Sequence, residues 1–139
     1  VVHMKFLLVE DSKISVLGIQ KIIEQHTNDV DIVVAENGQL ALDVLLDMNG
    51  AESLPCFIML DLNMPVMDGK EFLSIIRKDK RFGTIPVVIH TTSSNKQDYL
   101  FCSELGISGY YVKNVAYKTY KENILCISNY WFNSFRDNL

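Results

Sequence analysis

The sequence has few of the residues on which disulfide-bonded and zinc-binding proteins depend. Its 139 residues include only three cysteines, and Cys56, Cys102 and Cys126 lie far apart without a CxxC motif. Cysteine and histidine residues also nowhere cluster at the spacing of a zinc site. Because each cysteine has apolar neighbours along the chain, we expect all three to be small buried side chains.

The sequence also lacks an excess of positive charge and any long apolar run. Thirteen Lys and Arg residues stand against seventeen Asp and Glu residues, which gives a net charge of −4. Nucleic acids and anionic membranes are bound by basic surfaces, so neither is an expected partner. No apolar run approaches the roughly 20 residues that cross a bilayer, and the N-terminus lacks the pattern of a signal peptide. We therefore expect a soluble, cytoplasmic protein.

Length and composition indicate one domain. A chain of 139 residues, of which 48% are hydrophobic and 22% charged, can bury a single core. Since His3 directly precedes Met4, residues 1–3 are interpreted as a cloning remnant and are given no function. We expect one domain over residues 4–139.

Short apolar runs alternate with segments of helical periodicity along the whole chain. The runs predict buried strands over residues 5–9, 31–35, 56–60, 86–90 and 109–112. The predicted helices cover residues 12–26, a segment after Asn37-Gly38 that includes Leu45, residues 71–77, residues 96–105, and a last helix that carries Tyr120, Ile124, Ile127, Trp131 and Phe135. This alternation predicts an α/β fold, a doubly wound five-stranded parallel sheet with right-handed crossovers and helices on both faces.

Polar residues follow four of the predicted strands, at the edge of the sheet where ligands bind in this architecture. Glu10 and Asp11 follow the first strand, Asp61 the third, Thr91 the fourth and Lys113 the fifth. Each one alone is explained by a turn or a helix cap. Together, three crowded carboxylates repel one another unless a cation lies among them, and such oxygen ligands suit Mg²⁺. Asp61 could then attack a phosphoryl group that Lys113 and Thr91 help to hold.

The residues of these segments resemble those of a known family. The segment Ile58-Met-Leu-Asp61-Leu-Asn-Met-Pro65-Val-Met-Asp-Gly69 is similar to the phosphoacceptor segment of two-component response regulator receiver domains. Glu10-Asp11, the run that ends in Thr91 and the run that ends in Lys113 extend the resemblance over nearly the whole chain. The resemblance implies a flavodoxin-like, CheY-like (βα)5 fold with the strand order 2-1-3-4-5.

The resemblance also implies a role for each matching residue. Asp61 is the expected phosphoacceptor, Lys113 the phosphoryl-binding lysine and Thr91 the switch hydroxyl, with Tyr110 as the aromatic switch residue. Mg²⁺ or Mn²⁺ is expected to bind Glu10, Asp11, Asp61 and the backbone carbonyl of Asn63. The side chains of Asn63 and Ser93 are expected to tune autodephosphorylation.

One feature departs from the pattern of the family, and another indicates a subgroup within it. Receivers usually carry a cis proline after the lysine, and this chain has Asn114 there, where a cis bond costs roughly 3 kcal/mol. The segment Thr91-Thr-Ser-Ser-Asn95 and the aromatic Tyr130-Trp131-Phe132 of the last helix resemble stand-alone receivers associated with bacterial phytochromes.

The leading hypothesis is therefore a single-domain response regulator of a two-component phosphorelay, with no output domain. A sensor histidine kinase or a histidine phosphotransfer protein would supply the phosphoryl group, and the output would be contact with a downstream protein. A homodimer through helix 4, strand 5 and helix 5, or through the C-terminal helix, is a further expectation. The protein would be no enzyme beyond its own phosphotransfer and autodephosphorylation.

Three other functions are weighed against this hypothesis. A phosphatase of the haloacid dehalogenase type needs a second acid two residues after the nucleophile, where this chain has Asn63. A flavodoxin-like nucleotide binder needs a glycine- and hydroxyl-rich loop after the first strand, where Glu10 and Asp11 would repel phosphate. A degenerate receiver that acts only as a docking module stays open because of Asn114.

Overall fold

The computed structural model describes residues 4–51, 54–113 and 116–137, and within these it confirms the alternation of strands and helices. The strands are β1 (Met4–Val9), β2 (Val30–Ala35), β3 (Ile58–Leu60), β4 (Val87–Thr91) and β5 (Gly109–Val112). The helices are α1 (Lys13–Glu24), α2 (Gly38–Ala51), α3 (Gly69–Lys78), α4 (Lys96–Leu105) and α5 (Tyr117–Asp137). No helix in the described ranges is both long enough and apolar enough to span a membrane.

The five strands form one parallel sheet in the order β2-β1-β3-β4-β5, as the resemblance implied. The register aligns the carboxyl ends, because Val9 pairs with both Ala35 and Leu60, and Thr91 pairs with Val112. The polar residues that follow these strands consequently lie along one edge of the sheet. The order reverses at β1 and β3, which places the crevice of the doubly wound fold between their ends.

Apolar side chains fill both faces of the sheet. On one face, the α3 residues Phe72, Leu73 and Ile76 pack against strand residues such as Leu60 and Ile89. On the other face, residues of α1 and α5 pack against the sheet, including Ile19, Ile22, Ile23, Ile124 and Ile127. The rings of Phe6 and Phe57 stack at 4.5 Å, and Phe57 and Trp131 stack at 4.6 Å, which fixes α5 to the sheet. The edge strands β2 and β5 are only partly buried, so the expected coverage of both faces holds fully for the central strands.

Several element boundaries differ from the sequence prediction. The regular part of β3 is limited to Ile58–Leu60, although the Cys56 backbone N–H still donates to the Lys5 carbonyl at 2.8 Å. Helix α3 begins at Gly69 rather than residue 71, because the Asp68 side chain accepts a hydrogen bond from the Glu71 backbone N–H and caps the helix. Strand β4 is shifted by one residue, from the predicted 86–90 to Val87–Thr91.

The expectation that all three cysteines are buried is wrong for Cys126. Cys102 is buried and Cys56 is partly buried, whereas Cys126 is exposed. The reason is its position on α5: Ile124 and Ile127 face the sheet, whereas Cys126 lies at the open edge beside β5, with its Sγ 3.9 Å from the Tyr111 hydroxyl. Asn114 and the side chain of Phe135 lie outside the described residues.

Candidate functional site

The site is built on the backbone hydrogen bonds that close the carboxyl edge of the sheet. The Glu10 N–H donates to the Ala35 carbonyl at 2.9 Å, and the Asp61 N–H donates to the Val9 carbonyl at 3.0 Å. The Lys113 N–H donates to the Thr91 carbonyl at 2.6 Å. Glu10, Asp61 and Lys113 are thus each tied to a neighbouring strand, and their side chains start from a rigid backbone.

The structure brings the three predicted carboxylates together. Glu10 and Asp61 are buried, with 2% and 6% of their surface exposed, whereas Asp11 is exposed. One carboxylate oxygen from each of Glu10, Asp11 and Asp61 lies within 4.8 Å of the other two. The cluster is therefore open to solvent on the side of Asp11 and closed on the side of the sheet.

Lys113 joins two of these carboxylates. Its Nζ donates to Glu10 Oε1 at 2.5 Å and to Asp61 Oδ2 at 3.2 Å, and only 13% of its side chain is exposed. Burial by itself lowers the pKa of Lys113, but the hydrogen bond that Lys113 donates to Glu10 and the charges of Asp61 and Glu10 outweigh it, so the pKa is raised and the ammonium form is favoured. Burial raises the pKa of Glu10, which Lys113 offsets only in part.

Backbone groups hold the remaining carboxylate oxygens. Glu10 Oε2 accepts from the Ser12 N–H at 3.2 Å, and Asp61 Oδ1 accepts from the Asn63 N–H at 3.1 Å. Both are short-range bonds across two residues, so the loops that follow β1 and β3 fold back onto their own acids. These bonds fix the orientation of the carboxylates before any ligand binds.

The donor set fits a hard divalent cation. Three carboxylates converge and a single ammonium group, that of Lys113, contacts two of them, so negative charge is in excess. Carboxylate oxygens, with room for water on the exposed side of Asp11, are the ligands that Mg²⁺ and Mn²⁺ take in proteins. That the backbone carbonyl of Asn63 is a metal ligand stays a prediction.

The predicted switch residues form a second group, beside the acidic cluster. Thr91 is fully buried, and its Oγ1 accepts from the Ser93 N–H at 3.3 Å. The Tyr110 hydroxyl donates to the Ser93 carbonyl at 2.9 Å, and the Tyr110 ring meets the edge of Tyr99 at 5.4 Å between centroids. The Asn63 side chain donates to Thr92 Oγ1 at 3.4 Å. Thr91, Ser93 and Tyr110 are thus connected through one loop.

The chain was compared with known protein families. The family model of the response regulator receiver domain matches residues 6–125. The chain belongs to the response regulator receiver domain family. Receiver domains are signalling domains of two-component systems that obtain phosphate from histidine kinases, contact downstream targets and bind Mg²⁺ or Mn²⁺ at an acidic pocket.

Similar proteins place this receiver domain close to regulators of phytochrome systems. Response regulator Rcp1 of Synechocystis sp. is 33% identical over 127 residues, which cover 90% of this chain and 86% of Rcp1. The crystal structure of the phosphorylated cyanobacterial phytochrome response regulator RcpA has 30% identity and a TM-score of 0.88, with 96% of each chain covered. The structure of the Mn²⁺-bound form of Rcp1 has 32% identity and a TM-score of 0.82, covering 92% of this chain and 94% of that one. The sequence resemblance to phytochrome-associated receivers is thereby confirmed.

Some residues of the receiver site were not predicted from the sequence. Asp98 accepts hydrogen bonds from Ser93 Oγ at 2.6 Å and from Lys70 Nζ at 2.9 Å. An acid in the first turn of a helix is too common to be a signal for such a role. His90 had been placed only within the fourth strand, and nothing in its sequence position indicated that its ring lies near the ion pairs of the site.

His90 is a buried histidine whose surroundings do not stabilise the protonated, charged form of its ring. It is 2% exposed, its ring meets Tyr120 at 5.4 Å between centroids, and its Nε2 has no hydrogen-bond partner in the described part of the chain. Burial, aided by the charge of Lys113 and opposed by that of Asp61, lowers the pKa of His90 from 6.5 to about 4. The imidazole is therefore neutral at physiological pH.

We expect His90 to make folding depend on pH. On acidification the unfolded chain protonates this imidazole near pH 6.5 while the folded chain does not until about pH 4, so the folded state loses stability as pH falls. Between about pH 7 and about pH 5 the loss is about 2 kcal/mol in the free energy of unfolding. Urea denaturation at several pH values should show that His90→Leu removes this part of the dependence.

The matched control for this measurement is His26→Gln, since His26 is exposed. The control should retain the dependence of the wild-type protein. Equal slopes of stability against pH for His90→Leu and the wild type would contradict the assignment of a neutral, buried His90.

Proposed function

We propose that this receiver domain accepts a phosphoryl group on the carboxylate of Asp61 from a phosphohistidine of a sensor histidine kinase or a histidine phosphotransfer protein. The observation that carries the proposal is the setting of Asp61, which is buried, lies within 4.8 Å of two other carboxylates and receives a hydrogen bond from Lys113 Nζ at 3.2 Å. A nucleophile held in this way, next to a cation, is what transfer of a phosphoryl group requires.

Glu10, Asp11 and Asp61, with the backbone carbonyl of Asn63, would hold the Mg²⁺ or Mn²⁺ ion in this proposal. The bound ion would offset the repulsion between the carboxylates and the incoming phosphoryl oxygens. The exposed Asp11 leaves the metal and the phosphodonor a path from solvent, and the buried Glu10 and Asp61 keep their oxygens in place.

The residues of the chain would share the remaining work of the transfer. One oxygen of Asp61 forms the new bond to phosphorus while the phosphorus–nitrogen bond of the phosphohistidine breaks, and the imidazole leaves with the electron pair. The Lys113 ammonium, already in contact with Asp61, neutralises charge on a phosphoryl oxygen. The Thr91 hydroxyl, whose oxygen already accepts the Ser93 N–H, can donate its own proton to another.

Phosphorylation would then shift the population of the switch residues. The acyl phosphate carries about −1.5 to −2 units of charge beside Thr91, where a carboxylate carries one. Thr91 is connected to Ser93, and Ser93 to Tyr110, so a movement of the Thr91 hydroxyl changes the hydrogen bond that Tyr110 makes. The local charge event thereby reaches β5, and two packings of the same loop are populated differently.

We place the contact with a downstream protein, or with a second copy of the chain, on the surface of α4, β5 and α5. This surface exposes several large apolar side chains: Tyr99, Leu100 and Phe101 on α4, Val112 on β5 and Tyr117 on α5. Further along α5 the Tyr130 ring is exposed as well, while Trp131 is partly buried against Phe57. The similarity to RcpA supports a phytochrome-type histidine kinase as the donor.

The test is the mass of the intact protein after incubation with a small phosphodonor. With Mg²⁺ present, we expect a gain of one phosphoryl group that EDTA prevents and hydroxylamine removes, because acyl phosphates are cleaved by that nucleophile. A gain that persists in EDTA or resists hydroxylamine would contradict the proposal. No gain, under conditions in which a known receiver is phosphorylated, would favour the docking-module function.

A further inference from the structure

Three side chains fasten the loop after β4 to two helices, and we call them the Lys70–Asp98–Ser93 clasp. Lys70 lies on α3, Asp98 lies in the first turn of α4, and Ser93 lies in the loop between β4 and α4. Asp98 Oδ1 accepts from Lys70 Nζ at 2.9 Å, and Asp98 Oδ2 accepts from Ser93 Oγ at 2.6 Å. Both oxygens of one carboxylate are thus engaged by groups from different elements.

Ser93 is also the residue through which the two switch residues meet. Its backbone N–H donates to Thr91 Oγ1 at 3.3 Å, and its carbonyl accepts from the Tyr110 hydroxyl at 2.9 Å. Its side chain is the third attachment, to Asp98. The position of Ser93 therefore determines both hydrogen bonds at once, and the clasp determines the position of Ser93.

We propose that Asp98 is a positioning residue, which through Ser93 holds Thr91 and Tyr110 in the arrangement that receives the phosphoryl group on Asp61. This inference rests on the proposed function and adds to it a control that lies outside the phosphoacceptor site. The residue touches neither Asp61 nor Lys113 among the contacts that the structure describes.

The reason is the hydrogen-bonding capacity of a hydroxyl group. A threonine hydroxyl has one proton to donate, and its oxygen can accept. While Thr91 Oγ1 accepts the Ser93 N–H, the Thr91 proton remains free to be donated to a phosphoryl oxygen. If Ser93 leaves its place, the Thr91 hydroxyl loses this orientation, and ordering it again slows the transfer.

Within the clasp, the hydrogen bond between Ser93 and Asp98 contributes more to stability than the ion pair between Lys70 and Asp98 does. The Lys70 side chain is 41% exposed, and exposed ion pairs contribute little. The bond from Ser93 Oγ is short, its acceptor is an ionised carboxylate, and the Asp98 side chain is 18% exposed. The hydrogen bond from Lys70, followed by that from Ser93, lowers the pKa of Asp98, so the acceptor stays charged at neutral pH.

The first experiment uses the unphosphorylated protein, so it does not depend on the phosphoacceptor chemistry. In NMR spectra of isotope-labelled protein, Asp98→Ala should shift the Ser93 amide signal and the Tyr110 ring signals, the latter assigned with Tyr110→Phe. The matched control is Glu104→Ala, which removes an exposed acid from the same helix. Ser93 and Tyr110 signals that move no more in Asp98→Ala than in the control would overturn the proposal.

The second experiment measures the initial rate of phosphorylation by a small phosphodonor. We expect Asp98→Ala to be roughly 3- to 10-fold slower than the wild type, while Glu104→Ala is unchanged. Asp98→Asn should recover part of the rate, because its amide oxygen can still accept the Ser93 proton. An unchanged rate in Asp98→Ala, or no recovery in Asp98→Asn, would overturn the positioning role.

A double-mutant comparison separates this role from a general loss of stability. Because Ser93→Ala and Asp98→Ala break the same hydrogen bond, the double variant should be little slower than the slower single variant. If the fold-reductions in rate of the two single variants multiply in the double variant, Asp98 acts independently of Ser93, and the proposal is overturned. If the wild type itself takes up no phosphoryl group, the proposed function fails, and the NMR comparison alone decides whether the clasp positions the switch residues.

Discussion

Asp61→Asn is expected to abolish uptake of a phosphoryl group from a small phosphodonor and Mg²⁺. The amide is close in size to the carboxylate and can still accept from the Asn63 N–H, so the loop after β3 should keep its conformation. It is neutral and a far weaker nucleophile, and it removes one of the three carboxylates of the cluster. The measurement is the mass of the intact protein, with a loss of at least about 100-fold in the phosphorylated fraction formed per unit time.

The control for this substitution is Asp68→Asn, which changes a carboxylate close to the same loop in sequence. Asp68 is exposed and caps α3 by accepting from the Glu71 N–H at 2.9 Å, and asparagine caps helices about as well as aspartate does. The control should therefore be phosphorylated at the wild-type rate. Phosphoryl uptake by Asp61→Asn at the wild-type rate would show that the acceptor is not the carboxylate of Asp61, and loss of uptake in Asp68→Asn would show that the effect is not specific to Asp61.

Gly69→Ala is expected to destabilise the fold by about 3 kcal/mol or more, which is the upper range for overpacking at a close contact. A Cβ atom at this position would lie 2.3 Å from the Asp61 carbonyl oxygen and 2.7 Å from the Leu62 Cα. Both are backbone atoms, one of Asp61 itself and one of the residue after it, and the Gly69 N–H also donates to the Leu62 carbonyl at 3.0 Å. The helix start can therefore move away only by displacing the backbone of Asp61.

Urea denaturation measures the loss of stability in Gly69→Ala. The matched control is Gly18→Ala in α1, where a Cβ would meet no atom within 4 Å. Alanine in a helix interior is favoured over glycine, so the control should be more stable by roughly 0.5–1 kcal/mol. A Gly69→Ala variant with wild-type stability would show that the approach of α3 to the Asp61 backbone is looser than these distances state.

These predictions rest on residues that the sequence identifies to different extents. Asp61 and Lys113 follow apolar runs, and in a parallel sheet the ends of such runs lie at a common edge, so their proximity could be expected. Gly69 belongs to the segment that resembles the phosphoacceptor loop, but its contact with the Asp61 backbone depends on how closely the first residue of α3 approaches the end of β3. The residue type alone suggests a turn and gives no distance.

Asp98 and His90 show what sequence reasoning could not reach. The partners of Asp98 are Ser93, five residues away, and Lys70, 28 residues away, and neither separation forms part of a periodic pattern. His90 shares the apolar strand pattern of its neighbours, so only the packing of α5 shows that Nε2 is left without a partner among the described residues. Cys126 was misplaced for a related reason, since its apolar neighbours in sequence do not tell which face of α5 it occupies.

The alternation of strands and helices, and the polar site residues that follow four of the strands, could be predicted from the amino-acid sequence alone. These follow from hydrophobic periodicity and turn residues, which act over a few positions along the chain. The folded chain alone shows that Lys113 bridges Glu10 and Asp61, and that Lys70, Asp98 and Ser93 form one clasp. Such contacts join residues from different elements, and their geometry depends on the crossing of helices over the sheet, which no local pattern encodes.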